Sequence, residues 1–200
     1  MDSGAVLATR IAIQTCLRCQ LGTIRDTLAA SGHAAQAVPA ELGALAANPS
    51  AFMCEAPGAQ EEATGRPLVG RAGRKFNQLL EAAGYSRDEA LLLNRVRCRP
   101  PNNNLASYPD ATSQCDHWVK EELKAYDPAV VVLMGNTATR AIFGAQSKIS
   151  QVRGTARSTG DTFDYGARVW VPTYHPSAVV RNANLFETVV SDIKLALRLA

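Results

Sequence analysis

Four short, largely apolar runs, Ala51–Cys54, Leu91–Val96, Ala129–Met134 and Val169–Pro172, alternate with longer amphipathic stretches along this chain. That alternation constrains the fold more than any other feature. Runs this short, bounded by Gly, Pro or Asn, fit buried strands better than helices. Between them, Phe76, Leu79, Leu80 and Ala83 recur at helical spacing over Arg71 to Tyr85, and Gly84 reads as a helix stop. Asp116 to Tyr126 and Asn184 to Ala200 read as further amphipathic helices, and Asn136 to Arg140 opens another. Strand and helix in turn predict an α/β protein with a mainly parallel sheet. Its 200 residues suit one domain spanning 1–200. Residues 5–30 read as an N-terminal helix carrying a cysteine pair, and 28–50 as an irregular, Ala- and Gly-rich connection.

In such sheets ligands bind beyond the carboxyl ends of the strands. Three polar segments fall there: 55–73, 94–104 and 174–181. The first is dense in Gly and Pro, which implies a fixed irregular loop whose backbone approaches a ligand closely. Its Glu61 and Glu62 could supply a general base or cap the following helix. Its glycines match neither the phosphate-binding P-loop nor the dinucleotide fingerprint. Asn94 ends the second strand. Its carboxamide offers a donor and an acceptor on one plane, as reading a base edge requires, although a strand-terminating Asn is the simpler role. His175, one of three histidines, lies at a strand-to-helix turn before Pro176 and Ser177. There it could stabilise negative charge on a leaving group, or act as a helix cap.

Five cysteines add a second theme. Cys16 and Cys19 are separated by two residues, so one turn of backbone can present both thiolates to one metal centre. Cys98 and Cys115 flank a Pro- and Asn-rich loop far downstream. Four thiolates suit zinc or an iron–sulfur cluster, and ligand type alone does not choose between them. No basic segment followed by an apolar core opens the chain, and no apolar run reaches the roughly 20 residues that span a bilayer. A cytoplasmic protein without a membrane partner is therefore expected, with cysteines serving a metal over disulfides. Cys54, between Met53 and Glu55, reads as a small buried hydrophobe. Net charge is only +3, but residues 63–109 hold eight basic and three acidic side chains. That excess fits a polyanion partner or an ordinary solvated face.

In this order the motifs resemble the family 4 uracil-DNA glycosylases, the iron–sulfur class of the uracil-DNA glycosylase superfamily. The resemblance covers most of residues 16–199. It rests on Glu55-Ala-Pro-Gly with Gly65-Arg-Pro-Leu-Val-Gly-Arg-Ala-Gly73, on Asn94-Arg-Val-Arg-Cys98-Arg-Pro-Pro, on Thr173-Tyr-His-Pro-Ser, and on the cysteine pattern. It implies a three-layer α/β/α sandwich around a mainly parallel four-stranded sheet. It also implies one structural 4Fe–4S cluster on Cys16, Cys19, Cys98 and Cys115, uracil-containing DNA as the partner, and action as a monomer. The implied reaction flips uridine out of the stack and hydrolyses the bond from base to deoxyribose, leaving an abasic site. The resemblance makes Glu61 the residue that positions or activates water. It makes His175, with backbone N–H groups around Glu55 and Ala56, the holder of the departing uracil anion at O2, and Asn94 the reader of uracil against cytosine. Ser177 and Arg181 would hold the DNA backbone or fill the gap left by the base, and Arg71 would contact phosphate. Two pocket positions depart from the family: Leu68 stands in place of a phenylalanine that stacks on uracil, and Cys54 in place of a glycine. These departures keep a non-catalytic DNA-binding module, and a glycosylase of altered base preference, in view. A zinc-stapled structural protein is a further rival. A covalent binder acting through a histidine after the Asn-bearing strand is disfavoured, because residues 95–114 contain none.

Overall fold

The computed structural model describes residues 3–160, 164–166 and 168–200. In chain order the elements are α1 (Ser3–Gln14), α2 (Gln20–Ala30), β1 (Glu41–Leu42), β2 (Ala51–Cys54), α3 (Ala59–Thr64), α4 (Arg71–Ala83), β3 (Leu91–Asn94), α5 (Ala111–Tyr126), β4 (Val130–Met134), α6 (Asn136–Phe143), α7 (Ile149–Val152), β5 (Arg157–Thr159), β6 (Arg168–Thr173), α8 (Pro176–Arg181) and α9 (Phe186–Leu197). The sheet runs β1-β3-β2-β4-β6-β5. Its four inner strands are parallel, and only the short edges β1 and β5 are antiparallel. The expected four-stranded sheet is thus the centre of a six-stranded one. The edge strands escape a periodicity reading because they are two and three residues long and partly exposed, as protected edges commonly are.

Successive strand side chains alternate between two cores, as the pleat requires. Phe52, Leu92, Val130, Val132 and Val171 face Phe76, Leu79 and Leu80 of α4 and Val189 and Ile193 of α9. Met53, Leu91, Leu93, Val131, Leu133 and Trp170 face Val119 and Leu123 of α5 and Ala138 and Ile142 of α6. Each fully buried Leu or Val contributes roughly 1.5–3 kcal/mol relative to exposure, so both faces must be covered. This is the three-layer arrangement.

Two differences from the sequence reading shape the cysteine corner. The helix expected over 5–30 is broken: α1 ends at Gln14, and α2 begins only after Cys19, whose extended backbone (φ −144°, ψ 169°) caps it. The break turns α2 back against Cys16. A Cβ at Gly22 would lie 2.6 Å from the Cys16 carbonyl oxygen, so only glycine permits that approach. The helix expected from Asp116 starts at Ala111, which puts Cys115 inside it. A small apolar cluster of Ile13, Leu21, Ala37, Val96, Cys98, Ala111 and Cys115 lies beneath these elements. Among the described residues no helix is long and apolar enough to cross a membrane.

Candidate active site

The inner strands finish level. Cys54 pairs with Asn94, and Met134 with Thr173. The residues that follow therefore gather at one edge and form a cleft of about 900 Å³. All ten residues expected to bind base or DNA, or to act on it, line this cleft: Cys54, Glu55, Ala56, Glu61, Leu68, Arg71, Asn94, His175, Ser177 and Arg181. Arg71 and Arg181 are exposed, one opening α4 and the other closing α8. The end of β4 contributes Gly135 and Asn136, which no motif singled out, and the loop after Cys98 contributes Pro100 and Asn103 of the segment 94–104. The rule that ligands sit at strand ends, applied to Met134-Gly135 as to the other three strands, would have found the former.

Glu61 is buried and spends its carboxylate on the backbone. One oxygen accepts from the N–H groups of Val69 (2.9 Å) and Gly70 (2.7 Å), and the other from Gly58 (3.1 Å). It thereby caps α3 and pins the loop that carries Leu68. Glu55, half-buried, accepts a short hydrogen bond from the Thr137 hydroxyl at the start of α6. Thr137 was not anticipated, because nothing in its sequence context links it to Glu55. Leu68 is 6% exposed and packs with the first core, with φ at +53°. Cys54 is buried in the same core beneath the cleft. Burial first, then the charges of Glu61 and Glu55, push its thiol far above the ordinary range.

His175 caps α8. Its Nδ1 accepts from the Ser177 N–H (3.1 Å) and lies 2.8 Å from the Ser177 hydroxyl. Burial, followed by the nearby Arg181 cation, pushes its pKa down to about 4 against a weaker opposing pull from Glu61. The ring is therefore neutral at pH 7, and with Nδ1 accepting, its proton resides on Nε2. Asn94 is 3% exposed, and its Nδ2 donates to nothing in the fold.

The four cysteines expected to hold a cluster gather at a corner beside the cleft. Cys16, Cys19 and Cys115 are all within electrostatic reach of Cys98. Trp118 Nε1 donates to Cys16 Sγ (3.3 Å), and Arg25 Nη1 approaches Cys98 Sγ at 3.9 Å. Burial raises the Cys98 and Cys115 thiols, while Arg25 draws the first down and Arg97 the second. Among the described residues no three His, Cys, Asp or Glu side chains converge tightly enough to hold a single metal ion.

Fold and cleft together define an α/β protein with its chemistry at the carboxyl ends of a parallel sheet. The chain belongs to the uracil DNA glycosylase superfamily, whose family model matches residues 43–194. Within it the chain groups with type-4 members. It is 36% identical to the Type-4 uracil-DNA glycosylase of Thermotoga maritima over 149 residues, 72% of this chain and 74% of that protein. With the Type-4 uracil-DNA glycosylase of Sulfurisphaera tokodaii it shares 34% identity over 74% of this chain and 69% of that one. With that of Saccharolobus solfataricus it shares 29% over 97% and 85%.

Proposed function

We propose that the protein flips uracil out of DNA into the strand-end cleft and hydrolyses its N-glycosidic bond, leaving an abasic site. The observation that carries this reading is the buried, unpartnered Nδ2 of Asn94. An unmet donor costs about 1–3 kcal/mol, and a uracil O4 satisfies it. The amino group of cytosine meets it donor to donor.

The bond breaks as negative charge develops on uracil, so stabilising that charge carries most of the rate. Neutral His175 donates its Nε2 proton towards O2, which avoids the cost of desolvating a cation. Ser177 fixes the tautomer through Nδ1. Of the two carboxylates, Glu61 already accepts three backbone N–H groups. It serves as the positioning residue of the pocket loop. The water-handling role expected of it passes in this proposal to Glu55, oriented by Thr137. Leu68 forms an aliphatic face for the base, and Arg71, Ser177 and Arg181 meet the DNA backbone at the rim.

Cys16, Cys19, Cys98 and Cys115 would hold a 4Fe–4S cluster. Four free thiols with Arg25, Trp118 and the Arg97 backbone aimed at them suit a group that places anionic charge on sulfur. One thiolate per iron does not require the thiols to meet at a single point. When bound, the cluster supplies a cross-link between α1–α2 and the β3–α5 region, and bond cleavage stays with the cleft.

The test is excision from a labelled single-uracil oligonucleotide by anaerobically purified protein, followed by alkali cleavage of the abasic site. Cleavage at uracil is expected. Bound but uncut uracil-DNA, with iron present, would make the protein a binding module instead.

A further inference from the structure

The segment 67–70 forms one side of the base end of the cleft, and its backbone is held in a conformation that ordinary residues avoid. Leu68 has φ at +53°, in the left-handed region. For a residue bearing a Cβ this conformation is strained, and it persists only where the surroundings over-determine it. They do so here from two sides with opposite charge. On the inner side, one Glu61 oxygen accepts from the N–H groups of Val69 and Gly70. On the outer side, Arg87 donates Nη1 to the Leu68 carbonyl (2.8 Å) and Nη2 to the Pro67 carbonyl (2.7 Å). The carbonyl ends of the strap thus face a cation and its amide ends face an anion. Gly73 closes the arrangement. A Cβ there would lie 1.9 Å from the Leu68 oxygen, so the first turn of α4 packs directly on the strap.

Arg87 lies in a single 3-10 turn ahead of β3 and does not line the cleft. Its fork is aimed by Asn77 (3.3 Å) and by Glu41 (3.4 Å). Glu41 sits on the edge strand β1 and also takes two hydrogen bonds from Arg66. Two successive carbonyls on one guanidinium use the planar fork of arginine, which a lysine point charge cannot reproduce.

We infer that Arg87 is a positioning residue of the base pocket: through the Pro67–Gly70 strap it sets where the Leu68 side chain meets the flipped base. This rests on the uracil-excision reading. Edge strand β1 thereby gains a purpose, as the carrier of the carboxylate that aims Arg87.

The test compares Arg87→Met and Arg87→Lys with the unaltered protein by amide hydrogen exchange and single-turnover excision. In Arg87→Met, exchange at Val69 and Gly70 should quicken about tenfold or more, while amides of β2 and β4 keep their protection. The single-turnover rate should fall about tenfold, with DNA affinity changed by less than about twofold. Arg87→Lys, which keeps the charge beside Glu41, should retain thermal stability yet recover neither strap protection nor rate. In a Leu68→Gly background, where φ of +53° carries no strain, Arg87→Met should cost less than about threefold. Unchanged strap exchange with an unchanged rate, full recovery by lysine, or the same loss in both backgrounds would each overturn the inference. Absence of excision by the unaltered protein would instead overturn the uracil reading, and the exchange measurement would still decide whether Arg87 holds the strap.

Discussion

The cysteine corner and the strand-end cleft both bury polar atoms, but they differ in where their donors are aimed. In the corner, donors already face the sulfurs: Trp118 on Cys16, Arg25 on Cys98, and the Arg97 backbone on Cys115, over an apolar bed of Ile13, Leu21 and Val96. In the cleft, supports are complete while working atoms stay unspent. Glu61 holds a loop and Ser177 holds a ring, yet Asn94 Nδ2 has no partner. A site that keeps its ligand permanently can aim its donors in advance, although beside the corner the buried Arg97 guanidinium still leaves Nε and Nη1 without a partner. A site that binds and releases must leave donors waiting, and the rest of the fold stabilises them.

The sharpest way to break this contrast is to damage each region and ask which property fails. Cys98→Ser should cause the largest loss: iron content collapses and the thermal midpoint falls, because structural metal binding is coupled to folding free energy. The surviving folded fraction should still excise uracil. Full iron content in that variant would remove Cys98 from the ligand set. His175→Ala should do the reverse. Loss of one charge-stabilising donor lowers the rate by about 10²–10³-fold, with the iron content kept and the thermal midpoint lowered only by the lost α8 cap, about 1 kcal/mol. Near-normal single-turnover excision by His175→Ala would take the ring out of the reaction.

Much of this was legible before the fold was known, for reasons that differ between the regions. Cys54 ends its apolar run, Asn94 falls inside the second and His175 lies three residues past the fourth, and a parallel sheet brings such positions together, so order along the chain converts into one cleft. The corner was legible by chemistry alone, since nothing in periodicity joins Cys16 to Cys115. What stayed hidden depends on contacts between distant segments. The break between α1 and α2 turns on Gly22 meeting the Cys16 carbonyl. Strand β1 is two residues long and carries no pattern. The proposed split of duties between Glu55 and Glu61 rests on which backbone amides lie beside them, which residue type does not disclose.

Asn94 sharpens the contrast at smaller scale. Asn94→Asp replaces the waiting donor with an acceptor, so preference for uracil over cytosine on matched oligonucleotides should shrink by about 10–100-fold, the range that one buried hydrogen bond allows. Undiminished discrimination would mean that Asn94 does not read the base, and its orphaned Nδ2 would need another explanation.

The smallest expected effect is a flat line. In the folded chain the His175 pKa is pushed down to about 4, by burial first and by Arg181 second, against roughly 6.5 in the unfolded chain. Between those values the unfolded state binds a proton that the folded state refuses. The contribution of His175 to stability is therefore complete above about pH 6.5 and is lost as pH falls through that window towards 4. The working form of the ring is neutral with the proton on Nε2, and its population does not change between about pH 8 and pH 5. A single-turnover profile should then show no break near 6.5 attributable to this residue, while the ring signals of His175 followed by NMR titrate only near pH 4. Replacing Arg181 by Gln removes a like charge, so the titration should move upward and the acid-side stability loss due to His175 should shrink. A ring that titrates near 6.5 in the unaltered protein would show the cleft to be as wet as its rim, and the neutral-donor assignment would fall with it.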